Sequence, residues 1–499
     1  MRLRSAALFL ILSFSSFAHL SAQEKIEPLN RLVSLKMDST TVESLLEKLV
    51  ADNELYFSYN PDLLPPGKLN FAVFDRPLGE ILKGLLPDSL YIVTLVDRQL
   101  IITKVEPKPL IVSGRVVEND GKTPVPYAAV TIEGQYIGTI TNNDGNFELK
   151  IPFLLHDRNI VFSSLGYKQR IISRKAIESD PVVKLQDESI KLREIQVKPA
   201  DPKAILQQFR NNIETNYANE PQLMMTFYRE TARQDGNYVG VWEAAMEILK
   251  APYKYDAADR VRFIKGRKAD FNRKPKEVYL KVQGGPLIIN SLDIVKSPET
   301  FVSQEYEYLY EFRFEQPEMV NGRLTWIIRF NRVAETDFPC FNGKLFIDAD
   351  TYALAGAEFS YDKKSLKING ESFIQKEPLG FDTRPENVEY SVHYRLLNGK
   401  WHFYQAHSDV LFRVKQKKKF KTEYRNVTDI LVTQQYPFPK KARFGPEGIF
   451  RERDVFSEMI VSYDKEFWGN YNVIKPDEDL SKAIRESSNN QVIQTLPKD

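Results

Sequence analysis

The sequence predicts a multidomain, β-rich protein with a small α+β domain, a β-sandwich and a large antiparallel β-sheet domain. Two helix-then-strand patterns in the first hundred residues predict the α+β domain. Short alternating strands with glycine turns predict the sandwich, and a long region dense in strands and aromatic side chains predicts the large sheet. At 499 residues the chain has room for two to four domains.

The first 22 residues predict a secretory signal peptide. Arg2 and Arg4 precede an apolar run at 6–17, and "LSAQ" offers small residues for cleavage near Ala22. No later stretch approaches the roughly 20 apolar residues that a membrane-spanning helix requires. We therefore expect an exported protein without a transmembrane span.

Composition narrows the function classes. Lys and Arg together number 69 and Asp and Glu together 67, so the net charge does not indicate nucleic-acid binding. Cys340 is the single cysteine, which excludes an intrachain disulfide and a cysteine-rich zinc site. We expect this thiol to be buried rather than reactive.

Residues 24–105 predict a small α+β domain in which two helix–strand units share one sheet. The first helix begins at a capping box formed by Thr40 and Glu43, and a strand follows at 55–59. Pro77 begins the second helix, and a strand follows at 90–93. Each helix carries an apolar stripe at i, i+3, i+4 and i+7, namely Val42, Leu45, Leu46 and Leu49, then Leu78, Ile81, Leu82 and Leu85.

The stretches "VSLKMDSTTVESLLEKL", "LNFAVFDRPLGEILKGLL" and "RQLIITK" resemble the secretin and TonB N-terminal short domain (STN domain). The resemblance covers about 80 residues of the chain. It implies a role in outer-membrane transport, assembly or signalling. The alternative is a generic α+β module of similar size.

A linker, "VEPKPLIV", precedes a β-rich segment at 111–199. Its stretch "GTITNNDGNFELKIP" could be a calcium loop or a turn. A calcium loop would need acidic ligands where Ile140 and Ile151 stand, so the turn is favoured. Asp144 and Gly145 predict a tight hairpin, because Phe147, Leu149 and Ile151 then alternate as in a half-buried strand.

This segment resembles the carboxypeptidase regulatory-like domain. The matching positions are Gly114, Pro126, Ala129, Val130, Gly138, Thr139, Thr141, Gly145, Phe147, Gly166 and Tyr167. Asn142 departs from the pattern, which often has an aspartate there. The resemblance implies a transthyretin-like β-sandwich. It does not imply a zinc peptidase, since none of the five histidines is followed by glutamate three or four residues later.

Residues 201–499 predict a β-rich C-terminal domain that starts with a helix capped by Asp201 and Pro202. Asn398 and Gly399 predict a two-residue hairpin turn, and a second strand pair turns at 349–351. In the first hairpin the residues sharing a face are Val388, Tyr390, Val392, Tyr394 and Leu396.

Two further resemblances concern this region. The stretches "NYANEPQLMMTFYRE", "IKGRK" and "YDKEFWGNYNVIKPDEDL" resemble exported proteins of Gram-negative bacteria that carry a carboxypeptidase-like regulatory domain. The strand pair at 343–359 resembles lipoprotein carriers, whose curved sheet forms a half-barrel around acyl chains. A half-barrel is therefore one form that the large sheet could take.

The sequence contains two candidate sites. Hairpin register places His393 opposite Tyr404 and diagonal to His402, where two imidazoles could bind a metal, but exposed surface histidines are the favoured interpretation. The basic run "KQKKKFK" at 415–421 could make peripheral contact with membrane headgroups, although a solvated edge strand or loop is favoured. We assign no catalytic, cofactor-binding or metal-binding residue.

These observations predict a non-enzymatic, periplasm-facing scaffold or interaction protein with a protein partner at the outer membrane. The alternative is a lipid or lipoprotein carrier that uses a half-barrel. A continuous apolar trough along the sheet favours the carrier, whereas a filled core favours the scaffold. A hydrolase would require a polar cluster in a cleft, and no serine–histidine–aspartate order or nucleophile elbow is present. No cofactor is expected.

Overall fold

The computed structural model describes residues 27–494, except for 54, 59–63, 66, 88–89, 97, 105–107, 189–200, 256, 272–280, 283–284, 321, 334–335, 337, 377–379, 417–419, 440–441, 452–453, 455 and 457–466. The predicted signal peptide, the first three residues of the predicted linker and the centre of the basic run lie outside the described residues. The chain divides into two compact units, 1–108 and 109–499. It is β-rich and multidomain, as the sequence predicted.

The first unit contains both predicted helix–strand pairs but two sheets instead of one. Its elements are α1 Glu27–Asn30, β1 Leu32–Thr41, α2 Val42–Asp52, β2 Tyr56–Ser58, β3 Lys68–Pro77, α3 Leu78–Leu85, β4 Tyr91–Val96 and β5 Gln99–Lys104. β1 pairs antiparallel with β3, while β2 and β4 flank β5. The prediction of one shared sheet is wrong. The strands that precede the two helices, β1 and β3, pair with each other, whereas the strands that follow them, β2 and β4, pair with β5.

Both predicted helices are present in the first unit. Every residue of their apolar stripes is buried except Leu85, which is half-buried. The predicted cap is shifted by one residue, because Thr41 and not Thr40 accepts the hydrogen bond from the Ser44 backbone N–H. Thr40 is buried and does not act as the predicted cap.

The second unit begins with a two-sheet sandwich. Its elements are β6 Leu110–Glu118, β7 Ala129–Ile132, β8 Gly138–Ile140, β9 Asn146–Ile151, β10 Ile160–Ser163, β11 Arg170–Ile172, α4 Arg174–Ser179 and β12 Val182–Leu185. One sheet has the order β11-β10-β7-β8 and the other β12-β6-β9. Phe147 and Phe162, from opposite sheets, meet edge to face with ring centroids 5.4 Å apart.

The turn at 142–145 joins the two sheets and does not form the predicted hairpin, because β8 and β9 belong to different sheets. Gly145 alone in this turn has a positive φ, of 77°. A Cβ at this position would lie 2.3 Å from the Val116 carbonyl oxygen. Asn142 Oδ1 accepts hydrogen bonds from the backbone N–H groups of Asp144 and Asn146.

The rest of the second unit is built on one open, 11-stranded antiparallel sheet. Its order is β15-β14-β13-β25-β24-β23-β21-β20-β19-β17, with β18 beside β19. The elements are α5 Pro202–Asn211, α6 Ile213–Asn216, β13 Gln222–Gln234, β14 Asn237–Lys250, β15 Arg260–Asp270, β16 Lys281–Val282, α7 Gly285–Ser291, β17 Tyr310–Phe314, β18 Glu318–Val320, β19 Arg323–Arg332, β20 Phe341–Asp348, β21 Leu354–Tyr361, α8 Lys363–Asn369, β22 Ile374–Lys376, β23 Phe381–Leu397, β24 Lys400–Gln416, β25 Phe420–Pro437 and α9 Glu478–Gln494.

The predicted turns of this sheet are confirmed. Asn398 and Gly399 both have positive φ, 51° and 74°, and connect the paired residues Leu397 and Lys400. β20 and β21 turn after Asp348, as predicted. Asp201 caps α5 by accepting a hydrogen bond from the Lys203 backbone N–H.

The two faces of the large sheet differ in chemistry. The helix face, which α7 covers, holds an extensive aromatic and aliphatic core in which Phe301 stacks on Phe330 with centroids 4.3 Å apart. The sandwich face carries ion pairs and is covered by the sandwich and by the segment before α9. On that face Arg229 and Arg267 each donate a 2.7 Å hydrogen bond to buried Glu243.

Candidate functional site

A cavity of about 360 Å³ lies between the helix face and α7, and we call it the aromatic cavity. Its volume falls within the roughly 300–1,000 Å³ typical of ligand pockets. The lining side chains are mostly apolar or aromatic: Tyr228, Ile288, Ile289, Leu292, Phe341, Tyr361, Phe373, Tyr390 and Val410. Its polar lining includes Glu230, Glu299, Ser408, Asn426 and Thr428.

Strand alternation explains why these side chains meet. Tyr390, Ser408 and Thr428 are directly opposite one another on β23, β24 and β25, so they point to the same side of the sheet. Tyr228 and Glu230 extend the same face onto β13. α7 packs against β24 and β25 and covers the cavity with the side chains of Ile288 and Ile289.

Glu230 is one of two carboxyl groups in the cavity. Burial raises its pKa, although Asn426 and Tyr228 donate hydrogen bonds of 2.9 and 3.1 Å to its two oxygens. Tyr228 is itself fixed by an edge-to-face contact with Phe456, with ring centroids 4.6 Å apart. The carboxyl of Glu230 is therefore held in a defined orientation.

Glu299 is the second carboxyl group. Burial raises its pKa to about 7, so near neutral pH it exchanges between a hydrogen-bond donor and an acceptor. Among the described lining residues of this cavity there is no lysine or arginine. The chemistry suits an apolar molecule with a hydroxyl or amine head, since both carboxyl groups can accept hydrogen bonds from it.

The helix face is otherwise filled. Lys250 lies buried between Asp259 and Asp293, with Nζ–O distances of 2.6 and 2.5 Å. Tyr253 and Tyr394 each donate a 2.7 Å hydrogen bond to Asp293. This buried network ties β14, β23 and the segment after α7 together, so the aromatic cavity is a local opening in a packed core and not a continuous trough.

The two predicted histidines do not form a pair on an exposed surface. A bulge between the pairs of His393 and Tyr394 places His393 opposite Gln405 and not opposite Tyr404. His402 is 7% exposed and is held by Tyr136 at 2.9 Å and Gln435 at 2.8 Å. The prediction of surface histidines is wrong because the sandwich covers this face of the sheet.

Burial lowers the pKa of both side chains to about 4, so His393 and His402 are neutral at physiological pH. Among the described residues, no group of three His, Cys, Asp or Glu side chains is arranged to hold a metal ion.

The remaining sequence candidates occupy structural positions. The described ends of the basic run lie on β24 and β25, where Lys415 pairs with Lys421, and residues 417–419 lie outside the described residues. Both strands are inner strands of the sheet, so the edge strand is wrong, while the loop stays a prediction. Cys340 is buried, as predicted, and burial raises the pKa of its thiol. Within the described residues, no helix has the length and apolar composition needed to cross a membrane.

Sequence reasoning missed both cavity carboxyl groups. The position of Glu230 could have been noticed in the sequence. It is the charged residue on the face of β13 that also carries Met224, Thr226, Tyr228 and Ala232. Glu299 had none, because it lies in an irregular segment whose placement depends on the tertiary fold.

Comparison with solved structures gives weak likenesses. The chain is similar to the MucA/MucB complex of Pseudomonas aeruginosa (13% identity, 48% of this chain and 100% of that chain, TM-score 0.16). It is also similar to a DUF1329 family protein of Desulfovibrio piger (12%, 49% and 96%, TM-score 0.21) and to lipovitellin (8%, 49% and 28%, TM-score 0.23). With TM-scores below 0.5, these alignments establish neither a shared fold nor a shared function.

Sequence comparison is informative for one domain. No curated protein sequence is significantly similar to the chain. Residues 112–197 match the CarboxypepD_reg-like domain family. The chain therefore carries a carboxypeptidase regulatory-like domain in this segment, which confirms that part of the sequence prediction.

Proposed function

We propose that this protein is an exported, periplasm-facing, non-enzymatic binding protein that holds a hydrophobic small molecule in the aromatic cavity. The observation that carries the proposal is the combination of about 360 Å³ of space, a largely apolar lining and two carboxyl groups of raised pKa. The packed core around this cavity lacks the continuous trough expected of an acyl-chain carrier and in that respect fits the scaffold. An internal space of this size nevertheless supports the binding of a smaller hydrophobic ligand, for which a scaffold has no need. The two carboxyl groups further select a ligand with an amine or hydroxyl head.

The experiment uses the fluorescent probe N-phenyl-1-naphthylamine with the full chain. Ser408 points into the cavity between Tyr390 and Thr428. We expect Ser408→Trp to abolish binding by filling the space and Ser408→Ala to retain it, with circular dichroism confirming that both variants fold. Decylamine and decanol should displace the probe more effectively than decanoate, since a carboxylate head would face two acidic groups. Absence of saturable binding to the unaltered chain would refute the carrier role.

The second candidate is a scaffold that binds a protein at the outer membrane, in line with the STN resemblance of the first unit. Large apolar side chains on this unit favour it: Tyr56 is 71% exposed and Phe74 75% exposed. The test is a pull-down from outer-membrane extracts with the full chain, followed by mass spectrometry. A partner that is lost with Phe74→Ser but kept with Glu47→Gln, a change at an exposed polar position of the same unit, would favour the scaffold.

A further inference from the structure

A second cavity, of about 350 Å³, lies between the sandwich and the sandwich face of the large sheet. We call it the interface cavity. The sandwich contributes Tyr127 and Ile140, and the sheet contributes Arg395, Gln405 and His407. Tyr404 fixes the two parts across the cavity wall by donating a 2.9 Å hydrogen bond to the Thr139 carbonyl oxygen. The site therefore exists only where both parts of the second unit meet.

Arg395 is a cation of this cavity that has no carboxylate partner among the described residues. In the part of the chain that the structure describes, no acidic side chain forms an ion pair with it, and its guanidinium lies 4.8 Å from the Tyr404 ring centroid and 6.0 Å from that of Tyr136. The side chain is half-buried, and desolvation by the surrounding protein lowers the pKa of the guanidinium. A partly desolvated guanidinium without a carboxylate partner is stabilised by a bidentate anion.

Gln405 provides an independent observation. Its side chain is 8% exposed, and its Oε1 has no hydrogen-bond partner among the described residues. A buried amide oxygen without a donor is unfavourable, so such an atom next to a cavity indicates a missing donor. The bulge at this point of β24 turns Gln405 toward the space that Arg395 also lines.

Arg395 is the group of this cavity best placed to bind an anion, because the other ionisable groups named here are paired, neutral or exposed. Asp429 pairs with His407 at 2.7 Å, and this carboxylate raises the pKa of His407 even though burial lowers it. His393 is neutral, and Glu358 lies at an exposed position of the lining.

We propose that the interface cavity binds a small carboxylate that also carries an N–H or O–H donor, with the carboxylate on Arg395 and the donor on Gln405 Oε1. Such a molecule satisfies both orphan groups at once, whereas a simple carboxylate satisfies only the guanidinium. This site is separate from the aromatic cavity, which is on the opposite face of the sheet and lacks a cation among its described lining residues. It goes beyond the proposed carrier function and does not depend on it.

The test measures thermal shift and calorimetric binding of three related probes to the full chain. Hippurate has a carboxylate and an amide N–H, 4-phenylbutyrate has the carboxylate alone, and N-benzoylglycinamide has the donor alone. We expect hippurate to bind at least roughly tenfold more tightly than either of the others, as expected for a charge-assisted hydrogen bond and a satisfied amide. Inorganic phosphate is the fourth probe, and binding of phosphate with no binding of hippurate would overturn the assignment to a carboxylate.

Two variants and a control make the result specific. Arg395→Met should abolish hippurate binding, while Arg384→Met, at an exposed arginine of the same strand, should not change it. Gln405→Met should leave 4-phenylbutyrate binding unchanged and remove the preference for hippurate, which tests the proposal even if the Arg395 variant fails to fold. Equal binding of hippurate to the unaltered chain and to Arg395→Met, or no binding at all, would overturn the proposal.

Discussion

Asp144 of the sandwich caps α9, because its Oδ2 accepts a 2.8 Å hydrogen bond from the backbone N–H of Glu478. Asn142 and Asn143 of the same turn donate to the Pro476 carbonyl oxygen at 3.0 Å and to the Asp477 carboxylate at 3.1 Å. A helix N-terminus has free N–H groups and attracts a carboxylate. The polar side chains that resemble a cation loop in the sequence thus bind a distant part of the chain.

We expect Asp144→Ala to lower the free energy of unfolding by about 1 kcal/mol, because the Glu478 N–H loses its acceptor while Asp477 still caps the Leu480 N–H. The measurement is urea unfolding with and without calcium, and calcium should make no difference. Asp187→Ala, at an exposed position of the same sandwich, is the control and should have little effect. A calcium-dependent rise in melting temperature that disappeared in Asp144→Ala would contradict this interpretation.

Glu243→Gln should be much more destabilising than the same change at Glu247 of the same strand. Glu243 is buried between Arg229 and Arg267, so its loss leaves two buried guanidinium groups without their carboxylate. We expect about 3–5 kcal/mol from urea unfolding. Glu247 pairs with the more exposed Arg262, and its replacement should cost less than about 1 kcal/mol. Similar losses for the two variants would show that burial of the pair is unimportant.

Stability should fall as pH rises from about 5 to 8, in part because of Glu299. Burial raises its pKa in the folded state to about 7, above the value of about 4.3 for an unfolded glutamate. The folded state therefore binds this proton more tightly, and the associated stability is complete below the unfolded pKa and is lost as pH rises through 7. Glu299→Gln should flatten the dependence of melting temperature on pH, whereas Glu305→Gln, at an exposed position nearby, should not. An unchanged slope in Glu299→Gln would contradict the assignment.

The first unit should fold by itself. A fragment covering 24–105 should be soluble and melt cooperatively, and one starting at Leu110 should retain the stability of the remainder, because each unit has its own hydrophobic core. Circular dichroism of each fragment is the measurement. An unfolded short fragment, combined with a single transition in the intact chain, would mean that the two parts share a core.

Removal of residues 1–22 should leave the protein in the cytoplasm, because Arg2, Arg4 and the apolar run are the only export signal found in the sequence. Cell fractionation tests this prediction. Recovery of the truncated chain from the periplasm would refute it.

Local patterns predicted local structure well. The apolar stripe of α2, the Asn398-Gly399 turn and the Asp201 cap depend on neighbours within a few residues, and all three are present. The turn at Asp144 shows the limit, because Gly145 was identified from its neighbours but the partner of Asp144 is more than three hundred residues away.

The two cavities could not be predicted for the same physical reason. Each is lined by side chains from elements that are far apart in the sequence, such as Tyr127 with His407, or Tyr228 with Tyr390. Alternation along a strand assigns a residue to a face but does not say what covers that face. His402 illustrates this, since its pattern fits an exposed strand face and the sandwich buries it.

β13 can complete its strand pairing only late in folding. β13 pairs on one side with β14, its immediate successor, and on the other with β25, which begins only at Phe420. During synthesis from the N-terminus, the sandwich strands are complete at Leu185, whereas one edge of β13 stays without its partner until nearly the whole chain has emerged. Such pairing between distant segments is slow to form and leaves an open edge that can associate with other chains. Refolding yield should therefore depend strongly on protein concentration, and the 13 residues of β13 are the segment where a holding chaperone would have most effect.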